Sequence, residues 1–237
     1  MSRPAGPAPV GAGPGAPLEP QRLWDAPVRI VHWALLLLVL FSWWSGENNR
    51  LDWHRYSGYA VFGLLLFRVY WGVVGSSPAR FASFVRGPRA VLRYARSLRD
   101  PGHLPWAGHN PMGGWSVLAL LVVLFAQVGS GLFAVDTDGL ESGPLSHWVS
   151  FGTGRAFAEA HEIAFNLLMV LVGLHVLAIV GYRVVKRQHL VRAMVTGVAA
   201  LPRGATERLR FAGWGRALAG AALAAVIVYA VATGLRF

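Results

Sequence analysis

The sequence predicts an all-α integral membrane protein, a helix bundle with a four-helix core and a fifth transmembrane helix at its C-terminal end. Of the 237 residues, 54% are hydrophobic and only 14% are charged, so the chain is more apolar than an ordinary soluble domain. The apolar residues gather in five segments, each long enough for a helix to cross roughly 30 Å of hydrocarbon, which takes about 20 residues. These segments lie at 28–46, 55–75, 113–134, 158–182 and 214–235.

The apolar segments divide the chain into four predicted regions, taken here from the N-terminus. Residues 1–20 are rich in Pro, Gly and Ala without periodicity, which predicts a disordered tail. The first apolar segment ends in "SWWSGE" rather than in a small-residue cleavage site, so we expect a retained helix. Residues 21–190 are predicted to form the four-helix membrane domain, 191–213 a basic cytoplasmic linker, and 214–237 the additional helix.

The net charge of +11 is explained by the loops, so no nucleic-acid partner is predicted. Six arginines lie in the loop 76–112, and seven Lys and Arg residues lie in the loop 183–213. Cytoplasmic loops keep the excess of Lys and Arg, where they face anionic lipid. The opposite loops carry seven acidic residues against three arginines. With five spans, this predicts a cytoplasmic N-terminus and an external C-terminus.

Four histidines lie in or at the ends of the predicted spans, where an imidazole needs a hydrogen bond, a metal or a role in proton transfer. His32 is at cytoplasmic depth in the first span, and His54 opens the second span at external depth. The fourth span carries His161 near its outer end and His175 fourteen residues later. Fourteen helical residues span about 21 Å and return to nearly the same face. Depth therefore pairs His32 with His175, and His54 with His161.

Two opposed imidazoles at each depth favour haem over other cofactors. The chain has no Cys, which excludes thiolate ligands and covalent c-type haem attachment. Zinc requires three or four protein ligands, whereas each depth offers two histidines. Helical bundles hold haem between histidines on facing helices. Taken alone, a histidine near a helix end is more often a hydrogen-bonded residue than a ligand.

Three further residues complete the candidate site. Arg68 lies fourteen residues after His54, at the depth of the His32–His175 pair, and Arg29 lies one turn before His32. Each arginine either neutralises a haem propionate or extends to the lipid headgroups. Gly58, one turn after His54, either lets a macrocycle approach the backbone or serves helix packing.

Four phrases carry a resemblance to a known family: "WDAPVRIVHW", "HRYSGYAVFGLLLFRVYWGVVGS", "GHNPMGGWS" and "AHEIAFNLLMVLVGLHV". They resemble the bacterial cytochrome b561 and nickel–iron hydrogenase b-type cytochrome family over roughly residues 21 to 190. The resemblance implies a di-haem protein of the bacterial inner membrane that passes electrons between a redox partner and the quinone pool. It also implies four haem ligands, His32, His54, His161 and His175. The fifth span lies outside the matched region.

Two other classes of function use some of the same features. A carrier for metal ions or protons would also need buried histidines, but it should show broken helices or carboxylates inside the membrane. A non-redox membrane anchor would not need histidines at matched depths. If the protein is an electron carrier, the loop 135–162 is its predicted docking surface, because five acidic residues there face a single arginine. Topology alone also explains that charge.

Overall fold

Five of the α-helices are long and apolar enough to cross a membrane, which confirms the predicted all-α membrane bundle. The computed structural model describes residues 17–99, 106–138 and 141–235. The five spanning helices are α1 (Ala26–Glu47), α2 (Leu51–Val74), α5 (Pro111–Phe133), α6 (Phe151–Val185) and α8 (Trp214–Ala232). Three short helices lie between them, α3 (Phe81–Phe84), α4 (Pro88–Ser97) and α7 (Leu190–Thr196). The chain is a multi-pass membrane protein.

Helix α6 is longer than its predicted span of 158–182. Its 35 residues measure roughly 52 Å at 1.5 Å per residue, well beyond the thickness of the hydrocarbon. The difference arises at the N-terminal end, where residues 151–157 are less apolar but contain no proline to stop the helix. Hydropathy therefore predicts the membrane segment of α6 and misses its extension.

The fold consists of two compact units, which are described separately. The loop-rich unit comprises the described residues up to Arg29, together with Tyr70–Leu118 and Leu174–Ala217. The bundle unit comprises Ile30–Val69, Ala119–Gly173 and the described residues from Leu218 onward.

A two-stranded antiparallel sheet ties together distant parts of the loop-rich unit. Strand β1 (Leu18–Arg22) pairs with strand β2 (Val198–Pro202). The Gln21 side chain adds two hydrogen bonds between these parts of the chain. Its Nε2 donates to the Leu201 carbonyl at 3.1 Å, and its Oε1 accepts from the Thr206 hydroxyl at 2.7 Å.

The prediction of a disordered tail up to residue 20 disagrees with this sheet at its last residues. Residues 1–16 lie outside the described part of the chain, but the predicted disorder up to residue 20 is wrong from Leu18 onward. The reason is a partner far away in the sequence, which composition does not reveal. The segment predicted as a linker, 191–213, likewise contains most of α7 and all of β2.

The start of α1 is fixed by a buried carboxylate in the loop-rich unit. Asp25 Oδ1 accepts the backbone N–H of Val28 at 3.0 Å, which is the hydrogen bond of a helix N-cap. Its Oδ2 accepts the indole N–H of Trp71 at 2.9 Å. Both side chains are buried, and Trp71 is 0% exposed. The carboxylate thus joins the first turn of α1 to the end of α2.

In the bundle unit, the segment after α5 folds back onto the end of that helix. Val135 and Ser142 form an isolated antiparallel bridge, and Arg155 donates to the Val135 carbonyl at 3.0 Å. Gly143 lies so close to α5 that a Cβ there would be 2.3 Å from the carbonyl oxygens of both Gly131 and Leu132. This contact requires glycine at position 143.

Candidate functional site

The structure brings two of the predicted ligand histidines together in the bundle unit. His54 lies in the first turn of α2, and His161 lies in the third turn of α6. The centroids of their rings are 5.9 Å apart, and the ring planes are inclined by 75°.

A backbone carbonyl of a neighbouring helix orients each of these histidines. His54 Nδ1 donates to the Ser42 carbonyl of α1 at 2.8 Å, and His161 Nδ1 donates to the Gln127 carbonyl of α5 at 2.7 Å. Since a carbonyl can only accept, the proton is on Nδ1 in both rings. In the neutral ring Nε2 therefore keeps its lone pair, and a hydrogen bond from the other nitrogen to a carbonyl orients a histidine for metal binding.

A glycine makes room for each of these hydrogen bonds. Gly46 follows Ser42 by four residues, and Gly131 follows Gln127 by four residues. A Cβ at Gly46 would lie 3.2 Å from His54 Nδ1, and one at Gly131 would lie 2.9 Å from His161 Cε1. In a helix the carbonyl of residue i accepts the N–H of residue i+4, and a glycine there leaves its second lone pair accessible. The same carbonyl–glycine arrangement thus occurs on α1 and on α5.

Sequence reasoning missed this arrangement. The spacings Ser42-x-x-x-Gly46 and Gln127-x-x-x-Gly131 are not distinctive in apolar helices, where glycine commonly serves helix packing. A signal was present, because each glycine lies one helical turn after a carbonyl at the depth of a buried histidine. Recognising it requires knowing which helices are neighbours.

The two histidines line a cavity of about 440 Å³ in the bundle unit. This volume falls in the range of about 300–1,000 Å³ that is typical of pockets for small molecules and cofactors. Gly58 lines the cavity, and a Cβ at Gly58 would meet no atom within 4 Å. Much of the remaining wall is apolar: Val39, Val61, Leu124, Phe165 and Leu168.

The geometry fits a haem between His54 and His161. Two histidine–metal bonds of about 2 Å each, added to the half-widths of the rings, span a distance similar to the observed ring separation. Among the described residues there is no group of three or more His, Cys, Asp or Glu side chains that could hold a metal ion. A porphyrin would supply the other four ligands of a metal held here by two histidines.

Gln127 also belongs to this site. Its side-chain Nε2 lies 2.9 Å from His161 Nε2, and its buried Oε1 has no hydrogen-bond partner. The amide would have to move if His161 Nε2 bound a metal.

The other predicted site residues are divided between the two units. His32 and Arg68 belong to the bundle unit, whereas His175 and Arg29 belong to the loop-rich unit. The pairing of His32 with His175 therefore stays a prediction. Arg29 donates from Nη1 to the Val195 carbonyl of α7. Arg68 is only 6% exposed, which argues against its extension to the lipid headgroups.

A separate cluster of hydroxyl and amide groups lies in the loop-rich unit. The Tyr94 and Tyr182 hydroxyls are 2.9 Å apart, and Asn110 Nδ2 donates to the Tyr182 hydroxyl at 3.0 Å. Burial, together with the hydrogen bond to Tyr182, raises the pKa of Tyr94 above its usual range. Tyr94 thus stays protonated and joins α4 to α6.

Comparison with known proteins finds a family model that matches most of the chain. The model of the family described as Prokaryotic cytochrome b561 matches residues 23–197. The chain is similar to proteins described as "Probable Ni/Fe-hydrogenase B-type cytochrome subunit". The relative from Azotobacter chroococcum mcd 1 is 26% identical over 208 residues, covering 74% of this chain and 86% of the relative. The relative from Rhizobium leguminosarum bv. viciae is 24% identical over 209 residues, covering 74% and 87%.

Proposed function

The chain belongs to the prokaryotic cytochrome b561 family, and from this premise we propose that it passes electrons between a hydrogenase or another redox partner and the quinone pool through two haems. Its family makes it a membrane b-type cytochrome, an electron-transfer protein that carries haem b. The hydrogenase is suggested by the names of its relatives. The quinone is suggested by the resemblance of its motifs.

The observation that carries the proposal is the facing pair His54 and His161. Both rings keep an Nε2 lone pair that could bind a metal, because both Nδ1 atoms donate to carbonyls, and at His161 the Gln127 amide would give up its place to the metal. We assign this pair to the first haem, with Gly58 at its edge.

The second haem is assigned to His32 and His175. Support comes from depth, since fourteen helical residues separate His161 from His175 and the fold retains α6 as one helix. Arg68 is proposed to neutralise a propionate of this haem, and its burial favours that role over contact with headgroups. Arg29 is a second candidate at the same depth.

The chemistry proposed for the protein is electron transfer, in which the protein makes and breaks no covalent bonds. His54 and His161 would hold a haem that would supply one-electron oxidation and reduction, and two histidine ligands would disfavour the binding of oxygen. The residues of the chain hold and orient the imidazoles, and apolar side chains make up much of the cavity wall around them.

The proposed location is the bacterial inner membrane with the N-terminus in the cytoplasm. The basic loops support this orientation, because Lys and Arg are retained on the cytoplasmic side. The β1–β2 sheet agrees with this topology, because four spans separate the two strands and an even number puts the N-terminal segment on the same side as the basic loop 183–213. In this orientation the His54–His161 site lies toward the external face.

Optical spectroscopy of the purified full-length protein tests the proposal. We expect b-type bands in a reduced-minus-oxidised spectrum and two haems per chain in a pyridine assay. His54→Ala and His161→Ala should each retain one haem, and both should lose the same one. Loss of different haems from the two variants would contradict the assignment of His54 and His161 to one haem. Colourless protein from haem-replete cells would instead favour a histidine-based carrier or a non-redox anchor.

A further inference from the structure

The cavity around His54 and His161 has an unbalanced set of charges. Four carboxylates line it, those of Glu47, Asp136, Glu141 and Glu162. Among the described residues of its wall, Arg55 is the one permanently cationic side chain. A haem adds two propionates, which are ionised at neutral pH, so a haem at this site needs a cation near its carboxylate edge. The sequence-based assignment of Arg29 and Arg68 concerns the other haem and leaves this edge without one.

Arg55 is held by ion pairs that another carboxylate can replace. Its guanidinium lies 2.5 Å from Asp52 and 3.3 Å from Glu141. The Arg55 side chain is 39% exposed and that of Asp52 is 74% exposed, so water screens these pairs. A guanidinium has five N–H donors and can keep Asp52 while it binds a second carboxylate in place of Glu141.

The position of Arg55 also suits this role. It follows His54 directly near the start of α2, and its side chain lines the cavity while 39% of it is exposed to solvent. Tyr59 follows one turn later on the same helix and lines the same cavity. Its hydroxyl is a second hydrogen-bond donor on the wall of this cavity.

Resting on the proposed function, we propose that Arg55, assisted by Tyr59, binds a propionate of the haem held by His54 and His161. Arg55 is then a positioning residue that acts on the haem potential through charge. A nearby cation favours the reduced, less positive iron, so its removal lowers the potential. Glu141 opposes this effect because it competes for the same guanidinium.

Redox titration of the haem-loaded, full-length protein tests this inference. In Arg55→Gln, the ferrous-to-ferric ratio of the His54–His161 haem at a fixed potential should fall about tenfold, which is 59 mV for one electron. Arg55→Lys keeps the charge but loses the two-point geometry, so its shift should be smaller. Arg50→Gln is the matched control, because it removes the same charge from an exposed residue outside the cavity wall. Its shift should be less than a third of that in Arg55→Gln.

Two further measurements distinguish a failure of the role of Arg55 from a failure of the proposed function. Glu141→Gln should raise the potential of the same haem, and it gives a readout even if Arg55→Gln loses that haem. Equal shifts in Arg55→Gln and Arg50→Gln, or an unchanged potential in Glu141→Gln, would overturn the role of Arg55 while leaving the haem assignment intact. Absence of haem from the wild-type protein would overturn both.

Discussion

Two histidines in this protein are oriented by hydrogen bonds to backbone carbonyls of neighbouring helices. The carbonyls of Ser42 and Gln127 fix the rings of His54 and His161, and Gly46 and Gly131 provide the space. A carbonyl in a helix cannot be removed by substitution. The glycine is therefore the position at which mutation can disturb the ligand without replacing it.

Gly131→Ala should weaken haem binding at the His54–His161 site. The new methyl group would lie 2.9 Å from His161 Cε1, so the ring must shift. Overpacking of this kind costs about 1–3 kcal/mol, which corresponds to roughly 5- to 150-fold in affinity. Haem titration followed by its absorbance measures the change. Gly129→Ala is the control, since its methyl group meets no atom within 4 Å and the gain in helix propensity is the same. Equal affinities in the two variants would contradict the role of Gly131.

The proximity of His54 and His161 could be predicted from the sequence because depth follows from helix rise alone. The pair His54 and His161 needed only the order of the spans and the period of the helix. Ser42, Gln127 and Arg55 could not be assigned in this way. Their roles depend on the rotation of each helix about its axis, which a continuous apolar segment does not record.

At the scale of elements, the spans were predictable and the pieces between them were not. Hydropathy locates α1, α2, α5 and α8 near their ends, because twenty apolar residues have few alternatives in a membrane. The strands β1 and β2 have no such signal. Each is five residues long and gains its hydrogen bonds from the other, about 180 residues away.

The segment after α5 depends on a single close contact at Gly143. Gly143→Ala would place a methyl group 2.3 Å from two backbone oxygens of α5, which cannot move aside as a side chain can. We expect a loss of about 1–3 kcal/mol in stability. At about 2–4 °C per kcal/mol, the unfolding temperature in detergent should fall measurably. Gly152→Ala, a change with no neighbouring atom within 4 Å, should leave it unchanged. A Gly143→Ala protein as stable as the wild type would show that the segment tolerates displacement.

At the scale of the whole molecule, charge separates the loops into a basic and an acidic set. The acidic set includes Asp136, Asp138 and Glu141, and two of these line the cavity of the His54–His161 site. An acidic surface beside a redox centre attracts a basic partner, with steering that weakens as salt rises. The alternative is that these acids merely follow from the topology.

Replacing Asp136, Asp138 and Glu141 together by lysine distinguishes the two explanations. If docking is electrostatic, reduction by a basic donor protein should slow at low salt and its salt dependence should flatten, with both haems still bound. Stopped-flow spectroscopy measures both quantities. Glu19→Lys with Glu207→Lys is the control, because it adds positive charge on the side of the basic loops and should leave donor kinetics unchanged. Unchanged kinetics in the triple variant would leave topology as the explanation.

The pairing of β1 with β2 also determines when the sheet can form during synthesis of the chain. Gln21 contacts Leu201, 180 residues later, so β1 leaves the ribosome long before its partner exists. At about 5–20 residues per second, the delay is roughly 10–35 s. Four membrane helices are synthesised during that interval while the β1 segment has no strand partner. The sheet therefore forms late in biogenesis, and a chain interrupted before residue 198 would leave the β1 segment unpaired and open to proteases.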